Sequence, residues 1–96
     1  MPSELTCEER AAIEAVVRAS SLPFSEFEWI KRQDILLHQE SPSLLSIIRR
    51  RSTGYSVCYR PGPLPRYHAV EVVRKWEDVL RLTGQWLRYI ERDVYV

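Results

Sequence analysis

The sequence is poor in the residues that mark several protein classes. It has three glycines, one methionine, two cysteines and two histidines in 96 residues. Cys7 and Cys58 do not stand in CxxC spacing, so we expect free thiols rather than a disulfide framework. Neither His38 nor His68 is close in sequence to a cysteine or to the other histidine, and we predict no metal site. A chain of this length also has no room for a cofactor domain, so we predict no cofactor.

Long apolar runs are absent as well. Uncharged stretches such as residues 41–48 are far shorter than the roughly 20 apolar residues that cross a bilayer. Residues 1–5 lack the basic start and apolar run of a secretory signal. We therefore expect a cytoplasmic protein with no membrane partner. With 45% hydrophobic and 28% charged residues, the composition is typical of one globular domain over residues 1–96.

The charges are almost balanced but unevenly distributed. The formal net charge is +1, yet residues 1–40 carry eight acids against four bases, and residues 41–96 carry five acids against ten bases. A locally basic second half is compatible with a phosphate backbone as ligand. The alternation of a strand would send Arg50 to the face opposite its two neighbours. The basic candidates for partner binding are Arg49, Arg51, Arg60 and Arg66.

The first forty residues predict a helix followed by a strand. Thr6 and Glu9 stand in capping-box spacing, so a helix should begin there and end before Pro23. Residues 24–33 alternate, with apolar side chains on one side and glutamates on the other, which predicts a strand. The apolar run that follows is too short to show its period, so we interpret residues 34–42 as a connection.

The middle of the chain predicts a β-hairpin. Residues 44–50 and 55–60 are rich in β-branched or aromatic side chains, and Gly54 supplies a positive φ in the turn between them. The prolines of residues 61–65 should end the hairpin in a rigid bend. Residues 69–73 fit either a third strand of this sheet or an early turn of the next helix.

The last third predicts a long amphipathic helix. Gly84 interrupts it, and we expect a strand to approach closely there. Trp86 and Tyr89 lie beside the apolar stripe, where they would either anchor a partner or be buried by the sheet. We favour burial for Trp86, because a small domain must use most of its aromatics internally. The stripe itself consists of Trp76, Val79, Leu80, Thr83, Leu87 and Ile90.

Together these elements predict an α+β fold with an N-terminal helix, a small antiparallel sheet containing a hairpin, and a C-terminal helix packed on one face. Within residues 43–92, the runs 54–62, 76–80 and 86–91 resemble the ending of small uncharacterised bacterial α+β accessory domains. Those domains similarly have an aromatic strand, a Pro-Gly bend and a helix with Trp near its start and Trp-Leu later. The resemblance implies an accessory or adaptor role.

Catalytic constellations are weak in this sequence. Cys58 with His38 or His68, or Glu26 with Glu28, can be combined only on paper, and HExxH, GxSxG and glycine-rich phosphate loops are absent. Glu26 and Glu28 should share the wet face of the first strand. We therefore predict a non-enzymatic interaction module that binds another protein or a second copy of itself through an aromatic helix face or an open sheet edge. The alternative is a small nucleic-acid-binding module that uses the basic hairpin and bend.

Overall fold

The structure is a computed structural model that describes residues 5–30, 34–49, 54–60 and 69–95. The predicted bend at residues 61–65 lies outside the described residues, as do the candidate site residues Arg51 and Arg66. Arg60 is described as part of a strand through its backbone alone.

Helix α1, Cys7–Ala19, begins at the predicted capping box. The Thr6 hydroxyl accepts a hydrogen bond from the Glu9 amide at 3.1 Å, and the Glu9 carboxylate accepts one from the Thr6 amide at 2.9 Å. The helix is capped at its other end by Ser20, before Pro23, as predicted. Its buried residues are Ile13 and Val17.

Five strands form one antiparallel sheet in the order β1-β2-β3-β4-β5, so each strand pairs with its neighbour in sequence. The predicted hairpin is confirmed as β3 and β4. Residues 69–73, which the sequence left undecided, are the edge strand β5. The bounds are β1 Phe27–Ile30, β2 Ile35–His38, β3 Ser43–Arg49, β4 Tyr55–Arg60 and β5 Ala69–Val73.

Two predictions about the first half of the sheet are wrong. Phe24–Glu26 is a 3-10 turn rather than strand, because the Glu26 amide bonds the Pro23 carbonyl at 3.1 Å. Residues 34–42 are not merely a connection, since they contain β2, which pairs with strands on both sides. Side chains of β2 are apolar on both faces of the sheet, and this removes the polar alternation that marks a half-buried strand.

Gly54 has the predicted positive φ, at 96°. A Cβ atom at this position would collide with the backbone carbonyl of Val73 and lie 2.9 Å from the Arg74 Cα atom. Both the conformation and the close approach of the chain after β5 therefore require glycine here.

Helix α2, Trp76–Tyr95, packs on the sheet as predicted and also contacts α1. Because it has neighbours on two sides, its buried arc is wider than the predicted stripe and includes Leu82 and Trp86. The expectation for Gly84 is wrong, since a Cβ atom there would meet nothing within 4 Å. Neither helix of the described part is long and apolar enough to cross a membrane. The fully buried positions of α2 are Val79, Leu82, Thr83, Trp86 and Ile90.

Candidate functional site

The two faces of the sheet have different neighbours. Both helices lie on the face that carries Phe27, Tyr55 and Tyr59, which we call the helix-covered face. The Trp86 ring meets Phe27 edge-on at 5.8 Å between centroids, and Tyr59 stacks on Tyr89 at 6.1 Å. From α1, Glu9 and Glu14 reach Arg49, Tyr55 and Trp29, which share this face.

The opposite face, which we call the open face, is also apolar. Cross-strand register places its residues in rows, and no described element lies over them. The side chains at one end of this face are well exposed: Ile48 at 44%, Val70 at 57% and Val72 at 59%. Of the side chains that are described there, Glu28 alone is charged. The aliphatic residues of the open face are Ile30, Ile35, Leu37, Leu44, Ile48, Val70 and Val72.

An antiparallel sheet that faces water on one side normally has polar side chains there. Contiguous apolar patches of several hundred Å² on a monomer often mark an interaction site. The open face is therefore the strongest candidate site in the described part of the chain. Sequence reasoning looked for an edge or a helix face instead, although the apolar runs around Ile35 and Leu44 were a usable signal.

Arg49, a predicted partner-binding residue, is used within the fold. Its guanidinium forms an ion pair with the Glu9 carboxylate and lies 5.5 Å from the centre of the Tyr55 ring. The Tyr55 hydroxyl donates to the same carboxylate at 3.3 Å. Glu9 thus ties the start of α1 to β3 and β4, and Arg49 cannot serve a phosphate without leaving this cluster.

The two aromatic candidates of α2 have different fates. Trp86 is completely buried, so the burial that we favoured is confirmed and an exposed anchor at this position is ruled out in the single chain. Its indole N–H has no hydrogen-bond partner among the described residues, so this side chain contributes through apolar contact. Tyr89 is 38% exposed, but one side of its ring stacks on Tyr59 with an interplanar angle of 27°.

Tyr59 is the one side chain of this region whose ionisation is clearly shifted. Burial raises the pKa of the Tyr59 phenol above its usual value of 10.0, and the neighbouring Tyr89 and Glu71 add to the shift. The amide of Gln85 donates to its hydroxyl oxygen at 3.3 Å. The phenol is held neutral in the folded protein over a wider pH range than in the unfolded chain.

A buried polar network, absent from the sequence predictions, lies at the other side of the sheet. The imidazole of His38 is completely buried between β1 and β3, with Nε2 2.9 Å from Glu26 Oε1 and Nδ1 2.6 Å from Ser41 Oγ. The Ser43 hydroxyl lies 2.8 Å from that of Ser41. Because an ionised carboxylate only accepts, Nε2 of a neutral ring donates to Glu26, and Nδ1 accepts from Ser41.

The order hydroxyl, imidazole, carboxylate is also that of a hydrolytic triad. Here, however, the imidazole has no exposed surface, and a second buried hydroxyl bonds the would-be nucleophile. We interpret the network as a fastening of the β2–β3 turn to the 3-10 turn before β1. Its long-range partner, twelve residues away, explains why sequence spacing did not reveal it.

The constellations that were considered for catalysis are not assembled. Cys58 lies on the open face and His38 on the helix-covered face. Glu26 and Glu28 do not share a strand face, as Glu26 belongs to the 3-10 turn and bonds His38, while Glu28 is exposed on β1. Within the described ranges, no three His, Cys, Asp or Glu side chains are grouped so that they could hold a metal ion.

Comparisons with protein-family models, with curated proteins and with solved structures found no match for this chain. The candidate site therefore stands on the geometry of the sheet alone.

Proposed function

We propose that this chain is a non-enzymatic protein-interaction module of a bacterial protein, and that it binds its partner through the open face of the sheet. The observation that supports the proposal is the uncovered row of aliphatic side chains opposite the helices. The resemblance to accessory domains implies the same adaptor role. The proposed surface is a sheet face, rather than the sheet edge or helix face that the sequence suggested.

The size of the open face is sufficient for a weak, specific contact. Five strands about 4.8 Å apart and about five residues long give a projected area of roughly 400 Å². At about 25 cal/mol per Å², burial of this area from one partner is worth on the order of 10 kcal/mol. Association itself costs on the order of 4–15 kcal/mol. The surplus is small, so the proposed complex is a reversible one.

The charges of the described residues favour a protein partner over nucleic acid. Arg49 is held by Glu9, and the charged side chain described on the open face is an acid, Glu28. Exposed bases such as Arg74 and Lys75 lie beyond β5, away from this row. Phosphate binding would weaken steeply with added salt, whereas binding through the aliphatic face would change little.

A photoreactive amino acid placed at position 70 tests the proposal in living cells. Val70 is exposed on the open face, so we expect cross-links from this position to a protein, with a yield that does not fall as salt is raised in the extract. The matched control carries the same group at Ala11, which is exposed on α1, away from the sheet. Equal yields from both positions, or cross-links to nucleic acid, would contradict the proposal.

A further inference from the structure

The pattern of residues on the open face matches itself, and this inference rests on the function proposed for that face. We propose that the partner is a second copy of the chain, and that two open faces pack against each other in a symmetric sheet-on-sheet dimer. A two-fold interface uses the same patch on both copies, so the patch must be compatible with itself in charge and shape.

The central row of the face meets this requirement. It takes one residue from each strand and contains no charged group: Ile30, Ile35, Ser46, Cys58 and Val70. A two-fold axis that runs along β3 lays this row over the same row of the second copy. Each Val70 then faces Ile30 of the other copy, and each Cys58 faces Ile35.

The neighbouring row adds charge complementarity. In register it runs from Glu28 on β1 through Leu37 and Leu44 to Arg60 on β4. The same two-fold axis brings the acidic end of one row to within one strand spacing, about 4.8 Å along the sheet, of the basic end of the other. A face with two acids or two bases at these ends would repel its copy.

The area fits a dimer at the lower limit of stability. Two projected areas of roughly 400 Å² give about 800 Å², and side-chain relief raises the buried surface to the order of 1,000 Å², where specific interfaces begin. Sheets that pack in this way lie about 10 Å apart with strands within about 30° of each other. We expect a dissociation constant on the order of micromolar.

Sedimentation equilibrium of the full chain, from about 1 to several hundred micromolar, measures the association directly. We expect a monomer–dimer equilibrium that Val70→Lys weakens by about a hundredfold or more, because a lysine is buried on both copies. Val70→Thr keeps the β-branched shape and should weaken the dimer by a smaller factor. Ala11→Lys, the same charge added to α1, should leave the constant unchanged. Circular dichroism confirms that each variant is folded.

Binding of a hydrophobic dye, measured on the same samples, separates this inference from the proposed function. A chain that stays monomeric at every concentration, but binds the dye in a manner lost in Val70→Lys, overturns the dimer and leaves the open face as a site for another protein. A monomer that binds no dye overturns both. A dimer that survives Val70→Lys forms through another surface and also overturns the inference.

Discussion

Replacing Glu9 with alanine should destabilise the fold far more than its position in an exposed first helical turn suggests. The carboxylate closes the capping box with Thr6, pairs with Arg49 and accepts from the Tyr55 hydroxyl. Loss of the cap contributes about 1 kcal/mol. Loss of an acid near the helix start contributes about 0.5 kcal/mol. The ion pair adds about 0.5 kcal/mol, a low value because the Arg49 side chain is 39% exposed and screened by water.

The expected loss for Glu9→Ala is therefore about 2 kcal/mol, which lowers the melting temperature by roughly 8–16 °C in a domain of this size. Thermal and urea unfolding, followed by circular dichroism, measure it. Glu8→Ala is the matched control, since Glu8 is in the same turn but is exposed and makes no hydrogen bond to a described residue. It should cost below about 0.5 kcal/mol.

A double-mutant cycle with Arg49→Met isolates the contact between α1 and the sheet. We expect a coupling energy of about 0.5–1 kcal/mol, which falls as salt is added. If Glu9→Ala costs no more than Glu8→Ala, the carboxylate does not connect the helix to β3 and β4, and this reasoning is refuted.

Three further predictions concern the interior. Gly84→Ala should stabilise the fold by about 0.5–1 kcal/mol, because the new methyl group meets no atom and alanine favours a helix; destabilisation in urea unfolding would show a neighbour at this position. His38→Ala should cost about 2–4 kcal/mol through the cavity and the lost hydrogen bonds to Glu26 and Ser41, and an unchanged urea midpoint would show that the network contributes nothing. Since the folded pKa of Tyr59 is raised above 10.0, its contribution to stability is complete below pH 10 and is lost as the pH rises through the folded pKa; Tyr59→Phe should remove this part of the alkaline loss, and identical pH profiles would contradict it.

The elements with a clear period were predictable from the sequence. The capping box fixed the start of α1, and the stripe from Val79 to Ile90 identified α2, because one side of each helix is apolar and the other is charged. Gly54 was recognised from its place between two β-rich runs.

The open face was not predictable by the same means. Strand β2 has Leu36 on the helix-covered face and Leu37 on the open face, so its sequence carries no polar alternation. Burial of Trp86 depends on α1 as well as the sheet, and a single-helix pattern cannot show two neighbours. The partners of His38 and Arg49 lie twelve and forty residues away in sequence, and such contacts arise only when the chain has folded.

The alkylation rates of the two cysteines test the central claim most directly. Cys58 lies on the open face with intermediate exposure, and Cys7 is exposed on α1. In dilute native protein we predict that Cys58 reacts without unfolding, and that its rate falls as the chain is concentrated while the Cys7 rate stays constant. A Cys58 thiol that reacts only after unfolding, at every concentration, would show that the face is already covered within one chain and would contradict the account.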